Sequence, residues 1–325
     1  MHIIETAAKP SVPQALLVGC GNIGGALLKL WSSFGIFSKM VVVQPSLAST
    51  EDFAHYDSIK FVSDVKNIPG DFIPAVVVLA IKPQMAEAVI PSLCPHIGET
   101  LIVSTLAGTS LDKLAALTSE DCRPVAKPTM LEDFLEVYGT QDRSVLDVRE
   151  DPSTGTTTKR LNKGRLCDRS SRIVRIMPTV AIKTSRSVNL AFANENISAT
   201  DIETVEKIIG LSGEITWVRE ENHLDILTPI SGSGPAYFFL LAEILVEETV
   251  KLGIDEDTAR HIIQGTFIGS ASLVSDNVDF AALRKSVTSK GGVTEAALKI
   301  MSSGMRNVME ESLKAAMKRL EELRK

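Results

Sequence analysis

The chain has 325 residues, of which 44% are hydrophobic and 23% are charged, and its formal net charge is -6 at pH 7. This composition allows a large buried core and excludes a disordered chain, and the length predicts two domains or one domain with an appendage. The negative charge argues against a nucleic-acid-binding surface and fits an enzyme that acts on small molecules.

Cysteine and histidine usage gives no sign of a metal site. The four cysteines (Cys20, Cys94, Cys122 and Cys167) form no C-x-x-C pair, and the five histidines form no cluster. This pattern predicts a reducing compartment and no structural zinc. The first twelve residues lack the long apolar stretch of a signal peptide, and no apolar run reaches the roughly 18 residues of a membrane helix. We therefore expect a soluble, cytoplasmic protein.

A glycine-rich turn follows the first predicted strand, Ala15 to Val18. Gly19, Gly21 and Gly24 have G-x-G-x-x-G spacing, and an apolar helical stretch follows them. In a dinucleotide site the first glycine permits the tight turn, the second admits the pyrophosphate, and the third lets the helix pack against the strand. The N–H groups at the helix start bind the phosphates. The predicted contacts are Gly19, Gly21, Asn22, Ile23 and Gly24, and the alternative is an ordinary strand-to-helix turn.

The end of the second predicted strand, Met40 to Val43, bears on the choice of cofactor. NAD-preferring sites place an acidic residue here to bind the ribose 2′-hydroxyl, but this chain has Gln44-Pro45-Ser46. We predict that Gln44 and Ser46 contact the cofactor, with NADP(H) preferred and NAD(H) also accepted. The alternative is that Ser46 and Ser49 only form a turn.

Two further apolar runs, Ala75 to Ile81 and Thr100 to Ser104, predict central strands, and Phe61-Val62 predicts an edge strand. Loops after the carboxyl ends of parallel strands line the ligand crevice of such sheets. A later apolar run that starts at Arg172 predicts another strand of the same sheet. The cofactor contacts predicted in the loops after these strands are Ala80, Lys82, Pro83, Ala107, Gly108, Met177 and Pro178. For Lys82, a solvated loop lysine is an equal alternative.

Residues 119–171 interrupt the alternation of strands and helices. They are rich in proline, serine and threonine, and only Met130 to Tyr138 looks helical. A long irregular segment inside a domain is a lid or a disordered insertion, and we predict a largely disordered insertion. Strands and helices then alternate up to Val218. Residues 13–218 are therefore predicted to form a doubly wound, Rossmann-like α/β domain.

Beyond Arg219 the sequence predicts helices only. They are Tyr237 to Leu245, Asp255 to Val274 with Asp255 as N-cap, Ala281 to Val287, Glu295 to Met301 and Met309 to Leu323. Such apolar helices are expected to bury their faces against a second copy of the chain. Residues 219–325 are thus predicted to form an all-helical dimerisation and substrate domain.

Six motifs together resemble those of the pyrroline-5-carboxylate reductase family, in the family's order. They lie at residues 18–24, 78–84, 107–111, 173–178, 231–237 and 287–294. The resemblance implies NAD(P)H-dependent reduction of 1-pyrroline-5-carboxylate to L-proline, the last step of proline biosynthesis. It also implies a homodimer with active sites at the interface, often assembled into a larger ring.

The last motif, Ser289 to Thr294, supplies the predicted substrate site. Clustered N–H groups at a helix start suit a carboxylate, so Ser289, Gly291 and Gly292 are predicted to bind the substrate. Thr294 matches the family position whose hydroxyl contacts the substrate nitrogen, which makes it the predicted catalytic residue. The alternatives are a plain glycine turn and a helix-capping threonine.

Three departures from the family pattern leave other functions open. Thr179-Val180-Ala181 replaces the usual Asn-Thr-Pro, Lys290 and Val293 replace a proline and a threonine, and the insertion is unusual. A non-catalytic NADP-binding homologue and a reductase of a related imine or oxo acid therefore remain as alternatives.

Overall fold

The computed structural model describes residues 12–46, 51–53, 55–98, 100–118, 146–150, 157–161, 171–275 and 278–324. The chain forms two compact units, divided between Leu224 and Asp225. The domains 13–218 and 219–325 stay a prediction, because compactness alone does not show which segments fold or function independently.

The first unit is built on a large sheet. Its strands are β1 (Val12–Val18), β2 (Phe37–Val43), β3 (Ile59–Val62), β4 (Val76–Leu79), β5 (Leu101–Ser104), β8 (Ile173–Met177), β9 (Ser187–Ala193) and β10 (Gly213–Trp217). The strands β6 (Leu146–Glu150) and β7 (Thr157–Leu161) form a separate hairpin. The eight-stranded sheet has the order β10-β9-β8-β5-β4-β1-β2-β3, and its neighbours are parallel except for β8 and β9. This topology confirms the predicted Rossmann-like fold.

Helices cover the sheet of the first unit. They are α1 (Asn22–Ser33), α2 (Ala86–Val89), α3 (Cys94–Ile97), α4 (Leu111–Thr118) and α5 (Ala199–Ile209), and α6 (Glu221–Ser231) continues into the second unit. In β1, Ala15 and Leu17 join one apolar cluster while Leu16 and Val18 join another. Since successive side chains point to opposite faces, a strand buried on both faces appears as one continuous apolar run.

Within the predicted insertion, the structure describes one hairpin, which β6 and β7 form. They pair in antiparallel register, with Leu146 opposite Leu161 and Glu150 opposite Thr157. The helix predicted at Met130 to Tyr138 lies outside the described residues, as does most of the insertion.

The second unit is helical, and residues 219–275 and 278–324 contain no strand. Its helices are α7 (Gly234–Lys251), α8 (Glu256–Ser272), α9 (Phe280–Ser286) and α10 (Val293–Arg324). Asp255 caps α8 by accepting a hydrogen bond from the N–H of Thr258 at 2.9 Å, as predicted.

The last helix differs from the prediction of two shorter helices, because α10 is continuous over 32 residues. The predicted break falls at Ser302-Ser303-Gly304. Both serine hydroxyls donate to carbonyl oxygens of the preceding turn, at 2.6 and 3.0 Å. One glycine costs a helix only about 1 kcal/mol relative to alanine, which is too little to end a long helix.

Much of the second unit's apolar surface is exposed in the single chain. Phe238 and Phe239 are each 59% exposed, and Ile262 is 57% exposed. Residues Glu221–Lys251 are long and apolar enough to cross a membrane, with a mean hydropathy of 1.3 in the best window. This finding corrects the expectation that no apolar run is long enough. Length and composition do not separate a membrane span from a face that a partner subunit covers.

Cys20 is a buried free thiol, and burial raises the pKa of that thiol. Within the described ranges, no group of three or more His, Cys, Asp or Glu side chains is arranged to hold a metal ion.

Candidate cofactor and substrate sites

The glycine turn between β1 and α1 has the geometry of a phosphate cradle. Gly19 has φ 95°, and a Cβ there would lie 2.6 Å from the carbonyl oxygen of Ala80. At Gly24 a Cβ would collide with the carbonyl oxygen of Gly19, whereas at Gly21 no atom lies within 4 Å. The first and third glycines are thus required by the turn itself, and the second leaves open space. Since α1 begins at Asn22, its N–H groups and dipole favour an anion there. These residues fit the pyrophosphate of a dinucleotide.

Backbone hydrogen bonds bring the strand ends to one edge of the sheet. The N–H of Gly19 donates to Val43 at 2.9 Å, and that of Ala80 donates to Val18 at 2.8 Å. The N–H of Thr105 likewise donates to Leu79 at 2.9 Å. Because β8 is parallel to β5, its carboxyl end lies at the same edge. The structure therefore gathers at this edge the loops that carry Ala80, Ala107, Gly108, Met177 and Pro178.

Gln44 has a structural role that the sequence did not reveal. Its side-chain oxygen accepts a hydrogen bond from the backbone N–H of Cys20 at 2.9 Å, so it braces the glycine turn. The amide nitrogen of the same side chain is a donor, which suits a phosphate better than a carboxylate would. Ser46 is exposed after β2, and Ser49 lies outside the described residues.

A pocket of about 810 Å³ lies beside the glycine turn. Besides Gly21, Asn22 and Gln44, it is lined by charged residues that sequence reasoning missed, namely Lys29, Asp52 and Lys183. Lys29 lies on α1, while Asp52 and Lys183 belong to the 3-10 helices Glu51–Phe53 and Val180–Thr184. No local spacing relates them, so the sequence offered no signal. Asp52 is thus an acid beside the glycine turn, on a different element from the end of β2.

Thr179, the first of the three residues that differ from the usual Asn-Thr-Pro, is held by local hydrogen bonds. Its N–H donates to Ser187 Oγ at 2.9 Å, and its hydroxyl oxygen accepts from the N–H of Ala181 at 3.3 Å. Thr179 thereby caps the 3-10 helix that follows Met177-Pro178. Lys82 is exposed and precedes the 3-10 helix Pro83–Met85, in which Pro83 is the first residue.

The predicted substrate residues lie together in the second unit, at the start of α10. Gly291 has φ 73°, a conformation that favours glycine, and the N–H of Gly292 donates to the carbonyl of Ser289 at 3.0 Å. Since α10 begins at Val293, Thr294 lies inside its first turn and Gly292 occupies the N-cap position. Thr294 is exposed in the single chain. This position counts against a purely capping role for its hydroxyl.

The carboxylate of Glu295 accepts a hydrogen bond from one of the N–H groups that are predicted to bind the substrate. The N–H of Gly291 donates to Glu295 Oε2 at 2.7 Å. A glutamate in the third position of a helix commonly reaches back to the N–H groups before it, so the spacing of Gly291 and Glu295 indicates this contact. A carboxylate is therefore already bound by the turn where a substrate carboxylate is predicted.

A second pocket, of about 610 Å³, adjoins this turn. Gly291, Gly292 and Glu295 line it together with the cations Arg284, Lys285 and Lys299. Ser289, Lys290 and Thr294 are not among its lining residues. The surroundings are thus basic, with Glu295 as an acid beside the glycine donors.

Two family models match the chain. The model for NADP oxidoreductase, coenzyme F420-dependent, matches residues 15–108, and that for pyrroline-5-carboxylate reductase dimerisation matches residues 221–323. A pyrroline-5-carboxylate reductase of Haemophilus influenzae is 29% identical over 312 residues, which cover 94% of this chain and 96% of the relative. One from Pseudomonas aeruginosa is 29% identical over 317 residues, with 96% and 97% covered.

Solved structures agree with these matches. A pyrroline-5-carboxylate reductase of Coxiella burnetii has a TM-score of 0.71 at 26% identity and covers 96% of this chain and 98% of its own. The Plasmodium falciparum pyrroline carboxylate reductase with NADP bound has a TM-score of 0.69 at 20% identity, with 96% and 98% covered, and supports the fold.

The glycine cradle on a Rossmann-like sheet, followed by a helical dimerisation domain, defines an NAD(P)H-dependent oxidoreductase. The relatives match it in this order and over nearly the whole length. In sequence and in domain order, the chain is similar to pyrroline-5-carboxylate reductases.

Proposed function

We propose that this protein reduces 1-pyrroline-5-carboxylate to L-proline with NADPH, as the last step of proline biosynthesis. The observation that carries the proposal is the match over 94% of the chain to a reductase of that name, with both domains in the same order. The intact glycine cradle supports it, since Gly21 leaves open space at the start of α1.

The cofactor supplies the hydride, and the first unit supplies its binding site. The residues proposed to hold it are Gly19, Gly21, Asn22, Ile23 and Gly24 at the pyrophosphate, Gln44 and Ser46 at the adenosine ribose, and Ala80, Lys82, Pro83, Ala107, Gly108, Met177 and Pro178 in the loops at the sheet edge. NADP(H) is preferred because Gln44 stands where a carboxylate would repel the 2′-phosphate. Asp52 in the neighbouring pocket limits that preference, so NAD(H) is also accepted.

The start of α10 is proposed to bind the substrate. The turn that contains Ser289, Gly291 and Gly292 is proposed to hold the substrate carboxylate, since a positive helix end favours an anion. The substrate carboxylate would displace the Glu295 carboxylate from the N–H of Gly291. Thr294 offers its hydroxyl to the ring nitrogen and holds the imine in place. A threonine hydroxyl is a poor acid, so the proton comes from water or the imine is already protonated when it binds.

A homodimer is the proposed functional unit. The exposed apolar side chains of the second unit, such as Phe238 and Ile262, need a cover of the kind that a second copy provides. Helix α7 (Gly234–Lys251), which makes up most of the apolar stretch, then belongs to that interface and not to a membrane. We also propose that the active sites are completed at the interface, that the dimers assemble into a ring, and that the enzyme is cytoplasmic.

A second candidate is a non-catalytic NADP-binding homologue, and a third is a reductase of a related imine or oxo acid. Thr179 in place of the family's asparagine and the carboxylate of Glu295 on Gly291 favour them. The deciding experiment adds 1-pyrroline-5-carboxylate and NADPH to the purified protein, follows NADPH oxidation and identifies L-proline by mass spectrometry. Gly19→Val is the matched control, because its φ of 95° and the nearby Ala80 carbonyl forbid a side chain. NADPH binding without oxidation would favour the non-catalytic homologue.

A further inference from the structure

An ion pair between the buried Arg175 and the partly buried Glu221 joins β8 to the start of α6. Arg175, on β8, is 1% exposed, and its Nη1 donates to Glu221 Oε1 at 2.5 Å. The same oxygen accepts a hydrogen bond from the backbone N–H of Leu111 at 2.7 Å. One carboxylate oxygen thus connects β8, the start of α4 and the start of α6.

The pair lies where two predicted cofactor loops leave the sheet. Arg175 is the register partner of Ser104, the last residue of β5. From Ser104 the chain passes through Ala107 and Gly108, the latter with φ 70°, and closes on α4 at Leu111. From Arg175 it reaches Met177 at the end of β8. Glu221 therefore holds one loop at its far end and the other through the strand that precedes it.

Stability alone does not account for this arrangement. Burial lowers the pKa of the Arg175 guanidinium, and the hydrogen bond and charge of Glu221 raise it, so the pair depends on both partners. Well-packed apolar side chains often replace a buried ion pair without loss of stability. Apolar packing does not fix the orientation of the groups in contact. Charge-assisted hydrogen bonds do, because their geometry sets the relative placement of the groups they join.

We infer that Glu221 is a positioning residue of the reductase. Through Arg175 and the N–H of Leu111 it sets the spacing between the Ala107-Gly108 loop and the Met177-Pro178 segment that receive the cofactor. The inference rests on the proposed function, since it takes these loops as the nicotinamide side of the site. Glu221 acts through its neighbours and takes no part in the chemical step.

The test compares Glu221→Gln with Asp201→Asn. The first variant keeps an oxygen acceptor for Leu111 and removes the charge that pairs with Arg175. The control removes a carboxylate that pairs with Arg172 at 2.7 Å, at the amino end of β8 and so at the opposite edge of the sheet. NADPH affinity is measured by fluorescence titration, hydride transfer by single-turnover kinetics, and folding by the melting temperature.

We expect Glu221→Gln to bind NADPH more weakly and to transfer hydride roughly tenfold to a hundredfold more slowly, because small misplacements are costly in a reaction that depends on orientation. Asp201→Asn should lower the melting temperature and leave both other readouts unchanged. Equal effects of the two variants, or unchanged binding and hydride transfer in Glu221→Gln, would overturn the inference.

A double variant covers the case in which Glu221→Gln does not fold. Arg175→Met with Glu221→Leu removes both charges and keeps the volume, so it avoids an uncompensated buried charge. Slow hydride transfer in the folded double variant supports positioning, and wild-type rates refute it. If the wild-type protein does not reduce 1-pyrroline-5-carboxylate, the proposed function fails, while NADPH affinity still decides the role of Glu221.

Discussion

The side-chain oxygen of Gln44 accepts a hydrogen bond from the backbone N–H of Cys20 at 2.9 Å. This bond ties the end of β2 to the glycine turn after β1. Gln44 thereby shapes the turn that we propose as the phosphate cradle. We also propose that Gln44 affects cofactor choice, because it stands where NAD-preferring sites have an acid.

Gln44→Glu tests that link. The carboxylate still accepts from Cys20, so the turn is kept, but its charge repels a 2′-phosphate. We expect NADPH to bind more tightly than NADH in the wild-type protein and the variant to lose that preference. Parallel titrations of both cofactors measure the ratio. Asp52→Asn is the companion variant and should shift the ratio towards NADPH; tighter NADH binding by the wild type would contradict the prediction.

Thr294→Ala tests the proposed partner of the substrate nitrogen. Loss of a hydrogen bond to a charged group costs about 1.5–3 kcal/mol, so kcat/KM should fall roughly tenfold to a hundredfold with NADPH affinity unchanged. Thr294→Ser keeps the hydroxyl and should retain most activity. Steady-state kinetics and melting temperatures are measured for both variants. A lower melting temperature with unchanged turnover would assign Thr294 to helix stability alone.

Glu295→Gln tests competition for the Gly291 N–H. The substituted amide still accepts that hydrogen bond but no longer repels a substrate carboxylate. Because exposed charge interactions are weak, we expect KM for 1-pyrroline-5-carboxylate to fall by roughly twofold to fivefold, with the KM for NADPH unchanged. Initial rates at varied substrate concentrations provide both values. A higher substrate KM would show instead that the Glu295 charge assists binding.

Removal of residues 120–170 tests whether the insertion is needed for folding. The hydroxyl oxygens of Thr118 and Ser171, close to the two ends of this segment, lie 2.9 Å apart, so a short linker spans the gap. We expect a folded dimer that binds NADPH. Light scattering after size-exclusion chromatography measures the mass, and titration measures the affinity. An insoluble or monomeric product would show that the segment is structural.

Asp201 predicts a pH dependence of stability. Burial raises the pKa of its carboxyl. Hydrogen bonds from Ser198 and the charge of Arg172 lower the pKa by more than burial raises it, so the net shift is downwards. A depressed pKa contributes stability that is complete above the unfolded-state pKa of about 3.9 and is lost as pH falls through the folded-state pKa. Thermal melts of the wild type and Asp201→Asn should therefore converge in acid. A constant difference across that range would refute the assignment.

Local patterns were sufficient for most elements. Continuous apolar runs predicted β4 and β5, because strands buried on both faces need apolar residues at every position. Glycine spacing predicted the turn before α1, and the aspartate at 255 predicted the start of α8. The hairpin of β6 and β7 was missed because threonine and charged residues dominate it. The roles of Thr294, Gly291 and Gly292 came from family resemblance and stay predictions.

The amino-acid sequence by itself determined a glycine cradle on a parallel sheet and a helical carboxyl-terminal third, since turns, strands and helices follow from neighbouring residues. Only the tertiary structure decided which distant groups meet. Glu221 pairs with Arg175 across 46 positions and with Leu111 across 110. Such pairings depend on strand order, here the placement of β8 beside β5, and strand order is set by the packing of the whole sheet and not by any local pattern.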